Sequence, residues 1–436
     1  MPINLDLNMM NLFKRLTEVF LLIFVFFLPW QTKLILRPAV NNFNEISLYA
    51  SHLVLLLALI CFFIYKLWTK DSGKKSPVVW YFLGAWEIIM IISFFYAPDR
   101  LLAMFFYSLF LGGLGLFYLV REGINRAAYE DSCLNRIRII YVFLASIFLS
   151  ASLGIYQFLS QRTPVSKYLG LAAHNPETPG SVVIETASGR WLRAYGSLDH
   201  PNILGGVLVF ALLLSAYLLA RKKIINSNIQ IWGLIMLFFS YFFALIALFF
   251  TFSRAAWLAY VIGFIVLAVA IYRREDAWVV KRFFALIFFS VILLAIAALP
   301  YRELVTVRVQ AEGRLEQISI SERKAYALES GEIIKNHPWF GVGNANYVKY
   351  LELNSQVKEY KYYQPVHNVF LLVFAENGVF AFISLILFLV FLGINRRRQN
   401  FSLAVILAII ILMMLDHWLV SVPFGILFFF LILGLI

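Results

Sequence analysis

Three polar segments of an otherwise apolar chain contain the residue types that could do chemistry. They are residues 193–202, 252–257 and 366–371, and each comes where an apolar run begins. Polar groups that recur at one depth of a membrane, at the starts of helices, favour a functional site over a set of unrelated residues. We therefore expect the three segments to meet at one face of the membrane.

Arg254 is a candidate ligand for an anion. It follows Ser253, a residue type that caps helices, at the predicted start of an apolar helix. The N-terminus of a helix exposes unpaired N–H groups and carries partial positive charge, so it favours anions. A guanidinium adds a permanent charge and a bidentate geometry that suit phosphate. The alternative is an interfacial arginine that only reaches lipid headgroups.

Two further arginines lie in polar connections between apolar runs. Arg323 falls in the first turn of a helix predicted at residues 321–336, with Ser321 as the N-cap. Arg193 precedes Asn202, near the predicted start of another apolar helix at Pro201. Each arginine could instead be a solvated loop cation. Their grouping with Arg254 favours a common role.

His367 is the candidate general base, because it precedes an apolar run and a histidine can exchange protons near neutral pH. The alternative is a residue that only hydrogen-bonds the loop, as its neighbour Asn368 could also do. None of the six histidines is paired at i,i+3 or i,i+4, so the sequence predicts no metal site. We expect His337 and His417 to be structural or peripheral to any reaction.

The composition predicts a membrane protein. Hydrophobic residues make up 62% of the chain and charged residues 14%, which excludes a soluble globular domain. Two cysteines, Cys61 in an apolar run and Cys133 in a connection, make no disulfide framework. The net charge of +13 favours anionic headgroups or phosphate-bearing substrates over nucleic acid as partners.

Apolar runs near 20 residues long recur along the chain, and such runs cross a bilayer as helices. We predict an all-α polytopic protein with about twelve transmembrane helices. The first run lacks a small-residue cleavage site, so we expect it to remain as the first span. The predicted spans are approximately residues 13–32, 47–67, 77–97, 101–120, 139–160, 203–220, 229–250, 255–272, 283–300, 367–394, 401–415 and 423–436.

Basic residues indicate the orientation, because they concentrate in cytoplasmic connections. They cluster in alternate connections, which places both termini in the cytoplasm and the long connections 161–202 and 301–366 outside. Connections of that length usually carry function or their own structure. The inner residues are Lys14, Arg15, Lys66, Lys70, Lys74, Lys75, Arg121, Arg126, Arg136, Arg138, Arg221, Lys222, Lys223, Arg273, Arg274, Lys281, Arg282, Arg396, Arg397 and Arg398.

The order and spacing of these motifs resemble the O-antigen ligase and polymerase family, enzymes that move sugars from undecaprenyl-diphosphate carriers at the outer face of the bacterial inner membrane. The similarity runs from about Trp191 to the end of the chain. Residues 161–436 would then form the ligase-like region and residues 1–160 five N-terminal transmembrane helices. The motifs are Arg193…Gly196…His200-Pro-Asn202, Ser253-Arg254…Leu258, Arg323 with Asn336-His-Pro-Trp-Phe-Gly-Val-Gly343, His367-Asn368…Glu376-Asn-Gly378 and Asp416-His417.

This resemblance implies the C-type glycosyltransferase membrane fold, all helical, with a long periplasmic loop over an outer-leaflet cavity. It implies that Arg254 and Arg323 bind the lipid-linked diphosphate, and that His367 assists the acceptor hydroxyl. Arg193 matches a recurrent family position, and Asn202 and Asn368 are supporting candidates. The partners would be an undecaprenyl-diphosphate glycan donor, a sugar or lipid-linked acceptor and the bilayer. The reaction would invert the sugar and need no cofactor or metal.

Two other function classes remain open from the sequence. A transporter or polysaccharide exporter also fits twelve helices, and Glu87 in the third predicted span is its best midplane ionisable residue. A non-catalytic envelope scaffold would not need the polar cluster. Within the family, the sequence names neither the sugar nor the acceptor, so ligase, polymerase and protein-glycosylating activities remain alternatives.

Overall fold

The computed structural model describes residues 2–68, 79–125, 134–220, 228–311, 313–354, 363–396 and 400–436. Cys133 and nine basic residues of the predicted inner connections lie outside these ranges. Those nine are Lys70, Lys74, Lys75, Arg126, Arg221, Lys222, Lys223, Arg397 and Arg398.

Each of the twelve predicted spans coincides with a helix. Within the described residues, eight helices are long and apolar enough to cross a membrane, which confirms an all-α polytopic membrane protein. The apolar parts of α3, α14 and α16 are shorter, at 10–17 residues. Twelve crossings therefore stay a prediction. The helices are α1 (Pro2–Phe27), α2 (Ala50–Trp68), α3 (Val79–Phe94), α4 (Arg100–Asn125), α5 (Arg136–Ser160), α6 (Pro201–Ala220), α7 (Asn228–Thr251), α8 (Arg254–Arg274), α9 (Ala277–Ala298), α13 (Val369–Arg396), α14 (Asn400–Leu415) and α16 (Pro423–Leu435).

The connecting segments contain structure of their own. Two antiparallel hairpins are present, β1 (Lys33–Arg37) with β2 (Ile46–Tyr49) and β3 (Val183–Thr186) with β4 (Gly189–Leu192). The predicted long connection 301–366 contains three helices, and a further short helix precedes α16. These four are α10 (Arg302–Gln310), α11 (Arg314–Asn336), α12 (Tyr347–Asn354) and α15 (Trp418–Ser421).

The helix predicted at residues 321–336 is present, but its predicted start is wrong. It is the C-terminal part of α11, which begins at Arg314 with Gly313 as the N-cap. No helix breaker separates Arg314 from Ser321, so the helix continues through that position. The Ser321 hydroxyl donates to the Ile318 carbonyl instead of capping a helix. Arg323 therefore lies well inside α11 and has no helix N-terminus behind it.

Helix α6 forms the centre of the molecule. Nearly all of its residues are buried, and it packs against α5, α7, α8, α9 and α14. A helix that is apolar on every side belongs inside a bundle, as here. A Cβ on Gly206 would lie 2.4 Å from Trp418 Cζ2, so only glycine lets this indole pack against α6. The contact brings residues 416–418 to the N-terminal part of α6.

A break in α13 fixes the segment that follows α11. Gly378 has a φ of 79°, and a Cβ there would lie 2.0 Å from the Trp339 carbonyl oxygen. The backbone N–H of Val379 donates to the Pro338 carbonyl at 2.9 Å. The side chain of Glu376 accepts from the N–H of Ala345 at 3.0 Å. The end of α11 is thereby bound to α13, two turns from the start of that helix.

This break predicts an asymmetry between two glycines of α13. Gly378→Ala should destabilise the protein by roughly 1–3 kcal/mol, because the left-handed backbone and the Trp339 carbonyl exclude a Cβ. Gly393→Ala is the control, because a Cβ there meets nothing within 4 Å and alanine favours a helix by up to about 1 kcal/mol. Thermal unfolding in detergent measures both. Equal midpoints for the two variants would contradict this account.

Candidate active site

The turn between α7 and α8 organises the first part of the site. Phe252 adopts a φ of 46°, and its N–H donates to the Phe249 carbonyl at 3.0 Å. The Ser253 hydroxyl then accepts from the N–H of Ala256, which confirms the predicted N-cap, and α8 begins at Arg254. The short turn therefore places the Arg254 guanidinium beside the free N–H groups of a helix N-terminus.

Two arginines from other segments bind the carbonyl groups of this turn. Arg193 Nε donates to the Thr251 oxygen at 2.6 Å, and Arg308 Nε donates to the Phe252 oxygen at 2.7 Å. Carbonyl groups at the end of α7 carry partial negative charge, which favours both contacts. The turn thus collects three guanidinium groups, those of Arg193, Arg254 and Arg308.

Glu316 is the counter-ion within this cluster. Its carboxylate contacts Arg254 Nη2 at 3.2 Å and also hydrogen-bonds Arg308 Nη1. The side chain of Glu316 is 5% exposed, and a buried carboxylate needs such partners to stay charged. The Arg254 side chain is 31% exposed, so part of it remains accessible. Glu316 holds α11 against the start of α8.

Arg323 lies seven residues after Glu316, on the same face of α11. Its Nε is buried and has no hydrogen-bond partner among the described residues. Burial lowers the pKa of His417 to about 3, and the charges of His367 and Arg323 act in the same direction. Burial likewise lowers the pKa of Arg308, with a contribution from Arg323. Arg323 therefore lies between the arginine cluster and the histidines.

The charges of this cluster do not balance. Among the described residues of this cluster, three guanidinium groups (Arg193, Arg254 and Arg308) lie around one carboxylate, Glu316, and Arg323 adds a fourth positive charge near Arg308. Burial lowers the pKa of Arg193 well below its usual value, and the neighbouring Arg308 charge acts in the same direction. An anion bound here would offset the repulsion. Guanidinium groups suit a phosphate group in particular.

His367 forms a dyad with Asp416. Its Nδ1 lies 3.3 Å from Asp416 Oδ1. Burial would raise the pKa of Asp416, but the hydrogen bond and charge of His367 outweigh it and hold that pKa below the usual value. When Nδ1 donates to the carboxylate, Nε2 is left with a lone pair that can accept a proton. The His367 ring lies 6.1 Å from the Tyr326 ring, on the same α11 that carries Arg323.

A buried chain of hydrogen bonds supports this dyad. Asn202 Nδ2 donates to Asp416 Oδ2 at 3.1 Å, and Arg193 Nη2 donates to Asn202 Oδ1 at 2.7 Å. The structure thus brings Arg193 and Asn202 to the site, but behind Asp416 and buried. Arg193 is only 4% exposed. Its predicted contact with substrate is untested, and its observed contacts position Asn202 and the α7–α8 turn.

Asn368 also positions the dyad. Its Oδ1 accepts from the N–H of Leu371 at 3.0 Å. Asn368 therefore caps α13, which begins at the next residue, Val369. Its Nδ2 donates to the Met414 carbonyl at 3.0 Å. Asn368 therefore joins the start of α13 to the end of α14, and His367 and Asp416 lie immediately before and after these two helices.

His417, which we expected to be structural or peripheral to the reaction, lies directly beside His367. Its ring centroid lies 4.9 Å from that of His367, and its backbone N–H donates to Asp416 Oδ1 at 2.8 Å. The two histidines are 50 residues apart in the sequence, so no local spacing could reveal the contact. His337 lies at the end of α11, with Nε2 at 3.2 Å from the Tyr350 hydroxyl. Among the described residues, no hydrogen bond or ring contact joins His337 to the dyad.

The same three residues could hold a metal ion. Ligand atoms of His367, Asp416 and His417 lie within 4.8 Å of one another. The donor set of two imidazoles and a carboxylate suits a divalent transition metal. Both imidazoles already have a partner at Nδ1. His417 Nδ1 hydrogen-bonds Ser421 at 2.5 Å, and His367 Nδ1 contacts Asp416. The sequence could not show this group, because its members are distant along the chain.

Sequence reasoning missed Arg308 and Glu316 and gave Asp416 no role. Arg308 and Glu316 lie in a polar connection that contains other arginines and glutamates of the same apparent kind. Only their burial against the α7–α8 turn distinguishes them. Asp416 lies next to His417 in one of the motifs that resemble the O-antigen ligase family. That motif was the signal from which a role for Asp416 could have been predicted.

A family comparison covers the part of the chain that contains much of this site. Residues 239–386 match the family model described as O-antigen ligase. The match begins within α7, ends within α13, and includes Arg254, Arg308, Glu316, Arg323 and His367. The comparison with curated protein sequences found no match. The family match confirms the resemblance seen in the sequence: the chain is a multi-pass membrane protein that carries a domain of the O-antigen ligase family at residues 239–386.

Proposed function

We propose that this protein is a glycosyltransferase that moves a glycan from an undecaprenyl-diphosphate carrier to a hydroxyl acceptor at the outer face of the cytoplasmic membrane. One observation carries the proposal. Helix α11 joins an arginine cluster with excess positive charge to a histidine–aspartate dyad, through Glu316, Arg323 and Tyr326 on neighbouring turns. A leaving-group site and a base site are thereby adjacent.

The arginine cluster would bind the diphosphate of the donor. Arg254 is partly exposed, and Arg323 has a buried Nε without a partner among the described residues, so both can donate hydrogen bonds to phosphate oxygens. Negative charge grows on the diphosphate as the bond from the sugar C1 to the phosphate oxygen breaks. Fixed guanidinium groups in a poorly solvated site stabilise that charge more strongly than water does. Arg308 and Glu316 would orient Arg254.

His367 would accept the proton of the acceptor hydroxyl at Nε2 as the oxygen attacks C1. The ionised Asp416 stabilises the resulting imidazolium through Nδ1. Attack from the face opposite the diphosphate forms the new C1–O bond while the old one breaks, which inverts the sugar. The proton ends on the histidine and the electron pair on the diphosphate.

We propose that this reaction needs no metal, because the guanidinium groups supply the positive charge that a metal would give to the leaving group. In this role Asp416 orients His367 instead of binding an ion. The family match gives no support to the transporter alternative, for which Glu87 was the candidate.

His367→Ala should reduce glycan transfer by about 10²–10⁴-fold, the usual contribution of a general base, while the donor still binds through the arginines. The measurement is transfer from purified lipid-linked donor, with donor affinity determined separately. His337→Ala is the matched control, because its contact is with Tyr350 at the end of α11. An active His367→Ala enzyme beside an inactive His337→Ala enzyme would show that His367 is not the base.

Arg254→Lys and Arg323→Ala should each weaken donor binding about tenfold or more. Lysine keeps the charge of Arg254 but loses its bidentate geometry, and alanine removes the unpaired guanidinium of Arg323. The control is Arg314→Lys, at an exposed arginine of α11 that pairs with Glu185. If both test variants bound donor as Arg314→Lys does, the arginine cluster would not be the diphosphate site.

Removal of divalent metal with EDTA should leave transfer unchanged. The result distinguishes two roles for His367, Asp416 and His417, which are close enough to hold an ion. Loss of transfer, with recovery on adding Zn²⁺ or Mn²⁺ and no such recovery in Asp416→Asn, would replace the base mechanism with a metal-assisted one.

A further inference from the structure

A cavity of about 540 Å³ lies against the segment between β1 and β2 and plays no part in the reaction steps above. It is lined by residues 37–41 and Asn44, by Asp99 just before α4, and by residues of α12. This volume falls within the range of roughly 300–1,000 Å³ that is typical of small-molecule sites. The cavity is therefore large enough to hold a ligand of its own.

The cavity adjoins the dyad through the segment between β1 and β2. The ring of Phe43 packs against that of His417 with centroids 5.5 Å apart, and His417 contacts His367. Asn41 Nδ2 donates to the carbonyl of Tyr363, four residues before His367, at 2.7 Å. The same short segment thus lines the cavity on one side and contacts the His367 region on the other.

The charges of the cavity balance, unlike those of the arginine cluster. Arg37 pairs with Asp99 through contacts of 3.0 and 2.8 Å, and Lys349 pairs with Glu352 at 3.4 Å. These two cations and two carboxylates leave no net charge for an anion to neutralise. The cavity therefore suits an uncharged polar ligand better than a diphosphate.

Asn44 supplies an unsatisfied acceptor. It is 6% exposed, and its Nδ2 donates to Glu352 Oε1 at 2.8 Å. Its Oδ1 is buried and has no hydrogen-bond partner within the described ranges. A buried oxygen left unpaired is unfavourable, and a ligand hydroxyl that reached it would satisfy it. The Asn44 side-chain oxygen is thus an acceptor for a hydroxyl donor.

Two exposed apolar residues complete the lining. Val40 is 77% exposed and Leu353 is 62% exposed. A sugar ring presents hydroxyl groups at its edge and C–H groups on its faces. Carboxylates and an amide oxygen match the hydroxyl groups, and the two aliphatic side chains match the faces.

We propose that this cavity binds an uncharged sugar residue of the acceptor glycan and so delivers the attacking hydroxyl past Phe43 to His367. The inference rests on the proposed transfer reaction. It assigns donor and acceptor to separate sites, with the arginine cluster for the diphosphate and the balanced cavity for the acceptor sugar.

The probes are prepared from cells that lack this protein. Their polyprenyl-diphosphate glycan is the donor, and their remaining envelope glycans are the acceptor fraction. Val40→Trp narrows the cavity from an exposed position and should not disturb folding. We expect the KM for the acceptor fraction to rise about tenfold or more, with donor affinity unchanged. Leu36→Trp is the control, because Leu36 is an exposed residue of β1 outside the lining.

A second measurement does not depend on transfer. In a background with Cys61→Ala and Cys133→Ala, the acceptor fraction should slow labelling of Val40→Cys by an impermeant thiol reagent, but not labelling of Leu36→Cys. Protection without any transfer by the wild type would uphold the cavity as a glycan site and contradict the proposed function. Transfer with an unchanged acceptor KM in Val40→Trp and no protection of Val40→Cys would overturn the cavity assignment.

Discussion

The buried carboxylate of Asp416 is the contact on which the geometry of the site depends. It binds His367 before α13, the backbone of His417 after α14, and Asn202 at the start of α6. A carboxylate in such a place stays ionised only where donors surround it, so these contacts hold each other in place. Because α6 is the centre of the bundle, the histidine is fixed to the most rigid part of the molecule.

Helix α11 connects the region of the dyad to the arginine cluster. Glu316 at its start pairs with Arg254 and Arg308, whereas its other end is bound to the break in α13 at Gly378. A helix that is held at both ends keeps the residues between them in fixed positions. Arg323 is therefore held between the arginine cluster and the dyad, with an unpaired Nε among the described residues. Fixed positive charge of this kind suits the binding of an anion.

The arginine cluster and the cavity differ in their charge balance. The α7–α8 turn gathers excess positive charge, whereas the cavity at Asn44 contains two matched ion pairs. A donor that carries a diphosphate and an acceptor that offers hydroxyl groups make opposite electrostatic demands. Under the proposed reaction, separate sites for donor and acceptor would let one enzyme meet both demands without competition between them.

The sequence alone determined the membrane class, the positions of the twelve apolar helices, the Ser253 cap and the family. These features follow from local composition and from short motifs, which need no knowledge of distant contacts. It also named Arg254, Arg323 and His367, whose roles stay predictions. Only the tertiary structure joined His417 and Asp416 to His367, showed Glu316 and Arg308 as partners of Arg254, and placed Arg193 behind Asn202. Burial and the contacts between separate segments depend on how the helices pack, and no local pattern records that.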